Sequence, residues 1–265
     1  MHPEHRRLRA SLQSLAGTGS AVHHVSEAYT GSPHRALGVT TPHLRRLARA
    51  WLAKNRAMTG ETILDTADSL FAGDVLDEHI LAALILGYSR SARRDATPAR
   101  VDGWLDGLAG WAEVDALCAN IFQAKELLAD WAAWGGWIRR LAADANINKR
   151  RASLVLLTGP VRRSGDARLL EAALANVTEL RPERAILITK AVSWLLRNLV
   201  ARHRDVVARY LETDGIALPA IAAREVKAKL ETGRKTRHSP GGAATAVSGI
   251  RNRSRQPSRP SPPSR

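Results

Sequence analysis

The sequence predicts an all-α fold, and three observations carry that prediction. Apolar residues recur at i, i+3, i+4 and i+7, with almost no alternation of the β type. Threonine-proline pairs stand at the head of apolar stripes, where a helix start places them. Glycines and prolines then punctuate the pattern at Gly38, Gly73, Gly135-Gly136, Gly159-Pro160, Gly165 and Gly215, and are read as stops and turns. The 265 residues are 45% hydrophobic and 25% charged, the composition of a folded chain with a sizeable core. The spacing predicts roughly ten to twelve helices of about 10–18 residues.

In order along the chain, the N-terminal MHPEHRRLRASLQSLA carries charges through its first turns, so no secretory signal is expected. Thr41 is expected as an N-cap with Pro42 in the first helical position, leading into Leu44, Leu47, Trp51 and Leu52. His79–Ser89 is the longest uncharged apolar stretch of note and is too short to cross a bilayer. Thr97-Pro98 leads into Val101, Trp104, Leu105 and Leu108. A third start follows Leu180-Arg181-Pro182 and runs into Ile186, Ile188, Val192, Leu195 and Leu196. Helical pairs every 35–40 residues or so are the mark of an α-solenoid. No strict repeat is legible, so a globular helical bundle stays open beside it.

The formal charge is +15. Residues 233–265 hold eight Lys or Arg, no acid, and repeated Ser, Pro and Gly, a composition expected to be disordered. Residues 1–232 form the folded domain and keep a charge of +7 without that tail. A basic body points to a polyanionic partner. The single cysteine, Cys118, excludes an internal disulfide framework and suits a reducing compartment. It falls in an apolar helical stretch and reads as core. The nine histidines show no HExxH and no ligand spacing with Asp or Glu, so no metal is assigned; His23-His24 are adjacent and face apart.

Three constellations stand out. Trp111 and Asp115 are i and i+4 on one helix face, just after Gly110, with Glu113 on another face. An indole beside a carboxylate can pack on a sugar or base and stabilise developing positive charge. A local cap or salt bridge is the plainer role for Asp115. Asn146-Ile147-Asn148-Lys149-Arg150-Arg151 opens a helix with three consecutive cations. They oppose the helix dipole there and fit phosphates better, a solvated face being the alternative. Lys190, Trp194 and Arg197 place an aromatic between cations, as nucleic-acid surfaces do. Trp131, Trp134 and Trp137, like Trp51 and Trp104, read as core.

These constellations, in this order, resemble the DNA alkylation repair family of HEAT-like-repeat DNA glycosylases, the AlkD type, over about residues 20–232. Tyr29 and Gly38-Val39-Thr40-Thr41-Pro42-His43-Leu44-Arg45-Arg46-Leu47 resemble its opening aromatic, Gly-Val/Ile, Pro and Arg-rich segment. Trp111 and Asp115 resemble its Trp-x-x-x-Asp pair, and Arg151 the arginine near that Asp. Lys190-Ala191-Val192-Ser193-Trp194-Leu195-Leu196-Arg197 resembles the segment whose Trp completes the site. Two spellings depart from the family: Asn148 replaces an aromatic before the paired basic residues, and Gly31-Ser32-Pro33-His34 is uncommon.

The resemblance implies an α-solenoid, a right-handed superhelix with a concave basic face that binds duplex DNA. It implies excision of cationic N3-alkyladenine and N7-alkylguanine by N-glycosidic hydrolysis, without base flipping, metal or cofactor, by a monomer in base excision repair. Asp115, Trp111, Trp194 and Arg151 become the catalytic set. Tyr29, Arg45, Arg46, Lys149, Arg150, Lys190 and Arg197 become the DNA contacts. A non-catalytic binder of branched or damaged DNA is the runner-up, and a helical scaffold the third reading. The Arg- and Ala-rich composition suits a bacterial source, and DNA binding would associate a cytoplasmic protein with the nucleoid.

Overall fold

The computed structural model describes residues 1–16 and 27–234, and their regular elements are all helical. An isolated bridge between Arg35 and Val75 is the β-type pairing among them. His23-His24 and all of the predicted tail beyond Arg234 lie outside the described residues.

Helix α1 (Pro3–Leu15) opens on Pro3, with the His2 ring accepting from the Glu4 N–H. After the short α2 (Glu27–Thr30), helix α3 (Thr41–Lys54) starts one position earlier than predicted. Thr40 is its cap residue, and the Thr40 hydroxyl pairs with His43 instead of a backbone N–H. Helices α4 (Gly60–Phe71), α5 (Leu76–Tyr88) and the short α6 (Arg90–Asp95) follow. The continuous apolar run is explained by α5, which is buried nearly all round and needs no polar face. Helix α7 (Pro98–Gly107) begins as predicted, Thr97 Oγ1 accepting from the Arg100 N–H at 3.3 Å.

Helix α8 (Gly110–Cys118) and the short α9 (Ala124–Ala129) precede α10 (Trp131–Leu141) and α11 (Ile147–Arg163). Two expected stops are overturned here. Gly135-Gly136 lies inside α10, because a Cβ at 135 would stand 2.6 Å from the Trp131 ring. Glycine makes room for the indole and ends nothing. Gly159-Pro160 lies inside α11, one turn from its end, where a single lost backbone hydrogen bond is tolerated.

Helices α12 (Ala167–Leu180), α13 (Ile186–Leu199), α14 (Arg204–Asp214) and α15 (Ala220–Thr232) complete the array. Pro182 belongs to the turn leaving α12, and α13 starts four residues later. The short helices α2, α6 and α9 raise the number above ten to twelve, since four to six residues are too few for a helical period to register.

Packing follows chain order. Helix α5 contacts α3, α4 and α8; α8 contacts α11; α11 contacts α13; and α13 contacts α15. A second set, α4, α7, α10 and α12, contacts one another in the same order. Each helix thus meets neighbours close in sequence. The core runs through the array, with α11 contributing Leu154, Val155, Leu156 and Leu157, all fully buried. Trp51, Trp104, Trp134 and Trp137 are core, Trp131 packs at its edge, and Cys118 is buried, its thiol pKa pushed up by burial. Buried indoles keep a polar partner: Trp51 donates to Glu4, Trp104 to Asp68 and Trp137 to Asp102, at 2.6–2.9 Å. No helix among the described residues is long and apolar enough to cross a membrane.

Leu156→Ala removes a fully buried side chain from the central helix. It should lower the unfolding free energy by about 2–5 kcal/mol, read from urea titration, with little change in helical content.

Candidate active site

The site grows from the start of α8. Gly110 has φ 71, and a Cβ there would stand 2.2 Å from the Thr30 carbonyl oxygen. Gly31, also at positive φ (67), meets it backbone to backbone. Only glycine permits both the left-handed turn and this contact. The segment after α2 therefore lies against α8. Trp111 Nε1 donates to the Tyr29 carbonyl at 2.6 Å, and the two rings meet edge to face, 5.3 Å between centroids. Tyr29 is 40% exposed. Together they form an aromatic wall at the surface end of α8.

One turn on, Asp115 faces the guanidinium of Arg151 from α11. The pair is bidentate, Nε to Oδ1 at 2.8 Å and Nη2 to Oδ2 at 2.7 Å. Burial raises the Asp115 pKa, while hydrogen bonds and charge from Arg151 act against it. Arg151 is itself buried, and its Nη1 donates to the Leu187 carbonyl at the start of α13. One guanidinium therefore joins α8, α11 and α13. Trp194 is seven residues beyond Leu187, two turns along the same face, with Lys190 between them. Trp194 is half-buried against the core and Lys190 is exposed.

The other expected DNA contacts divide. Arg46 and Lys190 are exposed, while Arg45 is half-buried with a buried Nε that has no hydrogen-bond partner. The cation run at the head of α11 does not face one surface. Lys149 is buried and paired with Asp102 and Asp106 of α7 at 2.8 and 2.7 Å. Arg150 reaches Glu183 at 2.7 Å and the carbonyls of Asp144 and Ala145. Consecutive helical residues point about 100° apart, so three adjacent cations meet three different neighbours. Lys149 and Arg150 are thereby paired with protein carboxylates. Arg197 packs over Ser193 and lies 3.5 Å from Glu225; burial lowers its pKa and Glu225 opposes this.

Two features escaped sequence reasoning. Asn148, the departure from the family's aromatic, accepts the Gly110 N–H at 3.0 Å and so satisfies a donor at the start of α8. Glu113, on the face away from Trp111 and Asp115, is buried amid Ser32, His34 and His79. Ser32 Oγ donates to it, His34 Nδ1 lies at 2.8 Å, and the Ala109 N–H donates at 2.9 Å. Burial would raise its pKa, but these contacts and His79 win and lower it. No spacing rule links positions 32, 34, 79 and 113; only the fold assembles them.

A model of the DNA alkylation repair enzyme family matches residues 8–230. The chain belongs to this family. The match runs from the second half of α1 through most of α15 and takes in the Asp115–Arg151 pair. No curated protein matches the chain.

Two outcomes test the geometry. Arg151→Ala leaves the half-buried Asp115 carboxylate without its partner and should cost up to about 3 kcal/mol in chemical denaturation. Asp115→Asn should cost less, because the amide is neutral and the guanidinium keeps the Leu187 carbonyl. Gly110→Ala should cost more than ~1 kcal/mol from its backbone conformation alone, seen as a lowered thermal midpoint.

Proposed function

We propose that this member of the DNA alkylation repair enzyme family is a DNA glycosylase for positively charged alkylated purines, N3-alkyladenine and N7-alkylguanine, in duplex DNA. The observation that carries the reading is Asp115 held by the Arg151 fork, one turn from the exposed-edge Trp111–Tyr29 wall. An alkylated purine already carries positive charge. When the C1′–N bond breaks, its electron pair neutralises the ring, so no general acid is required. The sugar passes toward an oxocarbenium ion. Asp115 stabilises that charge and orients the water whose oxygen forms the new bond to C1′. The water's proton passes to the carboxylate or solvent. Trp111 and Trp194 offer electron-rich faces to the deoxyribose, an attraction that grows as charge develops. Arg151 keeps Asp115 oriented and its anion compensated.

The remaining assignments belong to the same reading. The in-order packing of α3, α5, α8, α11, α13 and α15 supports a HEAT-like solenoid whose concave face follows the duplex without flipping the base. The chemistry itself draws on no metal or cofactor. The protein acts as a monomer in the bacterial cytoplasm, and the eight cations of residues 233–265 add non-specific attraction for phosphates. Of the expected DNA contacts, Tyr29, Arg46 and Lys190 are exposed and suited to the backbone.

Methylated duplex DNA incubated with the protein should release N3-methyladenine and N7-methylguanine, identified by chromatography. Asp115→Asn should slow release by about 10²-fold, with duplex affinity nearly unchanged. Tight binding to junction DNA without base release would instead favour a structural binder. In a separate measurement, neutralising Arg46 and Lys190 together should reduce the salt slope of duplex binding by up to about 2, whereas neutralising Lys149 should leave the slope intact.

A further inference from the structure

We propose that His34, His79 and Glu113 form a site for a divalent transition-metal ion of the zinc class, structural and separate from the hydrolytic chemistry. The three side chains come from the segment after α2, from α5 and from α8. One ligand atom from each lies within 4.8 Å of the others, with Glu113 and His79 buried and His34 half-buried.

The orientation of His79 is the decisive observation. It is 1% exposed, and its Nε2 lies 3.0 Å from the Gly73 carbonyl. A carbonyl only accepts, so Nε2 carries a proton, and Nδ1 is the ring nitrogen left to face Glu113. That Nδ1 is buried and has no hydrogen-bond partner. It stands 3.2 Å from Glu113 Oε2, an ion pair when the ring is protonated and a contact of two lone pairs when it is neutral. Two electron-rich atoms facing each other in the interior repel unless a cation or a second proton lies between them. Metal-bound histidines commonly donate the opposite ring N–H to a carbonyl or carboxylate, as His79 does to Gly73.

The spacing suits an ion. Ligands about 2.0–2.1 Å from a tetrahedral zinc stand roughly 3.3 Å apart. His34 Nδ1 stands 2.8 Å from Glu113 Oε1 and His79 Nδ1 3.2 Å from Oε2, and all three ligand atoms lie within 4.8 Å of one another, so side-chain adjustment alone can gather them about one ion. Two imidazoles and a carboxylate favour zinc over magnesium or calcium, which prefer all-oxygen shells. Ser32 and the Ala109 N–H already orient the carboxylate. The half-buried His34 leaves a way in for the ion and a fourth ligand. Bound metal would fasten the segment carrying Tyr29 to α5 and α8, and so brace the Trp111 wall.

The test is zinc titration of the full, untagged, chelator-treated chain by calorimetry, with cobalt absorption as a second probe. One equivalent should bind per chain, with a tetrahedral-type cobalt spectrum and a raised thermal midpoint. His34→Gln and His79→Gln should each weaken binding at least tenfold, with circular dichroism confirming that they fold. Should His79→Gln fail to fold, the half-exposed His34→Gln carries the test. Absence of a saturable equivalent in the wild type overturns the proposal, as does equal binding by the variants. So does an NMR spectrum in which His79 is doubly protonated at neutral pH and unmoved by zinc, because a simple ion pair would then satisfy Glu113.

Discussion

The guanidinium of Arg151 is the joint on which the arrangement of this molecule turns. It spends two donors on Asp115 of α8 and one on the Leu187 carbonyl of α13, from a buried position near the head of α11. Burying a guanidinium and a carboxylate costs several kcal/mol for each ion, and their attraction offsets this only when the geometry is good. A planar fork against a carboxylate is the geometry that does so, and lysine could not reproduce it. The pair therefore adds little net stability relative to an apolar replacement. What it fixes is direction: the Asp115 oxygens cannot rotate, and three successive helices are registered against one planar group. In the glycosylase proposed above, that fixed negative charge is the group that meets the developing cation.

The head of α11 shows how the rest of the charge is managed. Cations near a helix N-terminus oppose its dipole. Here each is matched by an acceptor from a different neighbour: Asp102 and Asp106 for Lys149, Glu183 for Arg150, and Asp115 for Arg151. Each cation of the run is thus paired with a carboxylate from a different part of the fold. The body's positive charge that remains available must be sought at side chains such as Arg46 and Lys190, which face outward.

The fold was legible because helical period and threonine-proline starts are local signals. Trp51, Trp104, Trp134 and Trp137 fell in the core as their spacing required. The errors arose where a local rule met a tertiary demand. Gly135 reads as a stop, yet it is there for the Trp131 ring. Pro160 reads as a break, yet it is harmless one turn from the end of α11. At the site, Trp111 and Asp115 were visible because i and i+4 share a face. Their tie to Arg151 was visible only through family resemblance, since 36 residues of chain separate the partners. The Glu113 cluster had no signal of either kind.

That cluster also explains why the two departures from the family's spelling sit where they do. Ser32 and His34 lie in the segment that differs, and both contact Glu113. Asn148 replaces an aromatic and holds the Gly110 N–H. Gly110 is pressed against Gly31, and Trp111 against Tyr29. The departures are therefore not scattered: each makes contact with the first turn of α8 or with the segment packed on it. The Asn148 amide and the polar Ser32-Pro33-His34 turn closed by Glu113 both seat the first turn of α8. The outer face of α8 then carries Trp111 and Asp115, while its inner face anchors the helix through Glu113. A helix that carries a fixed charge on one face is held here from the other, and the holding is polar.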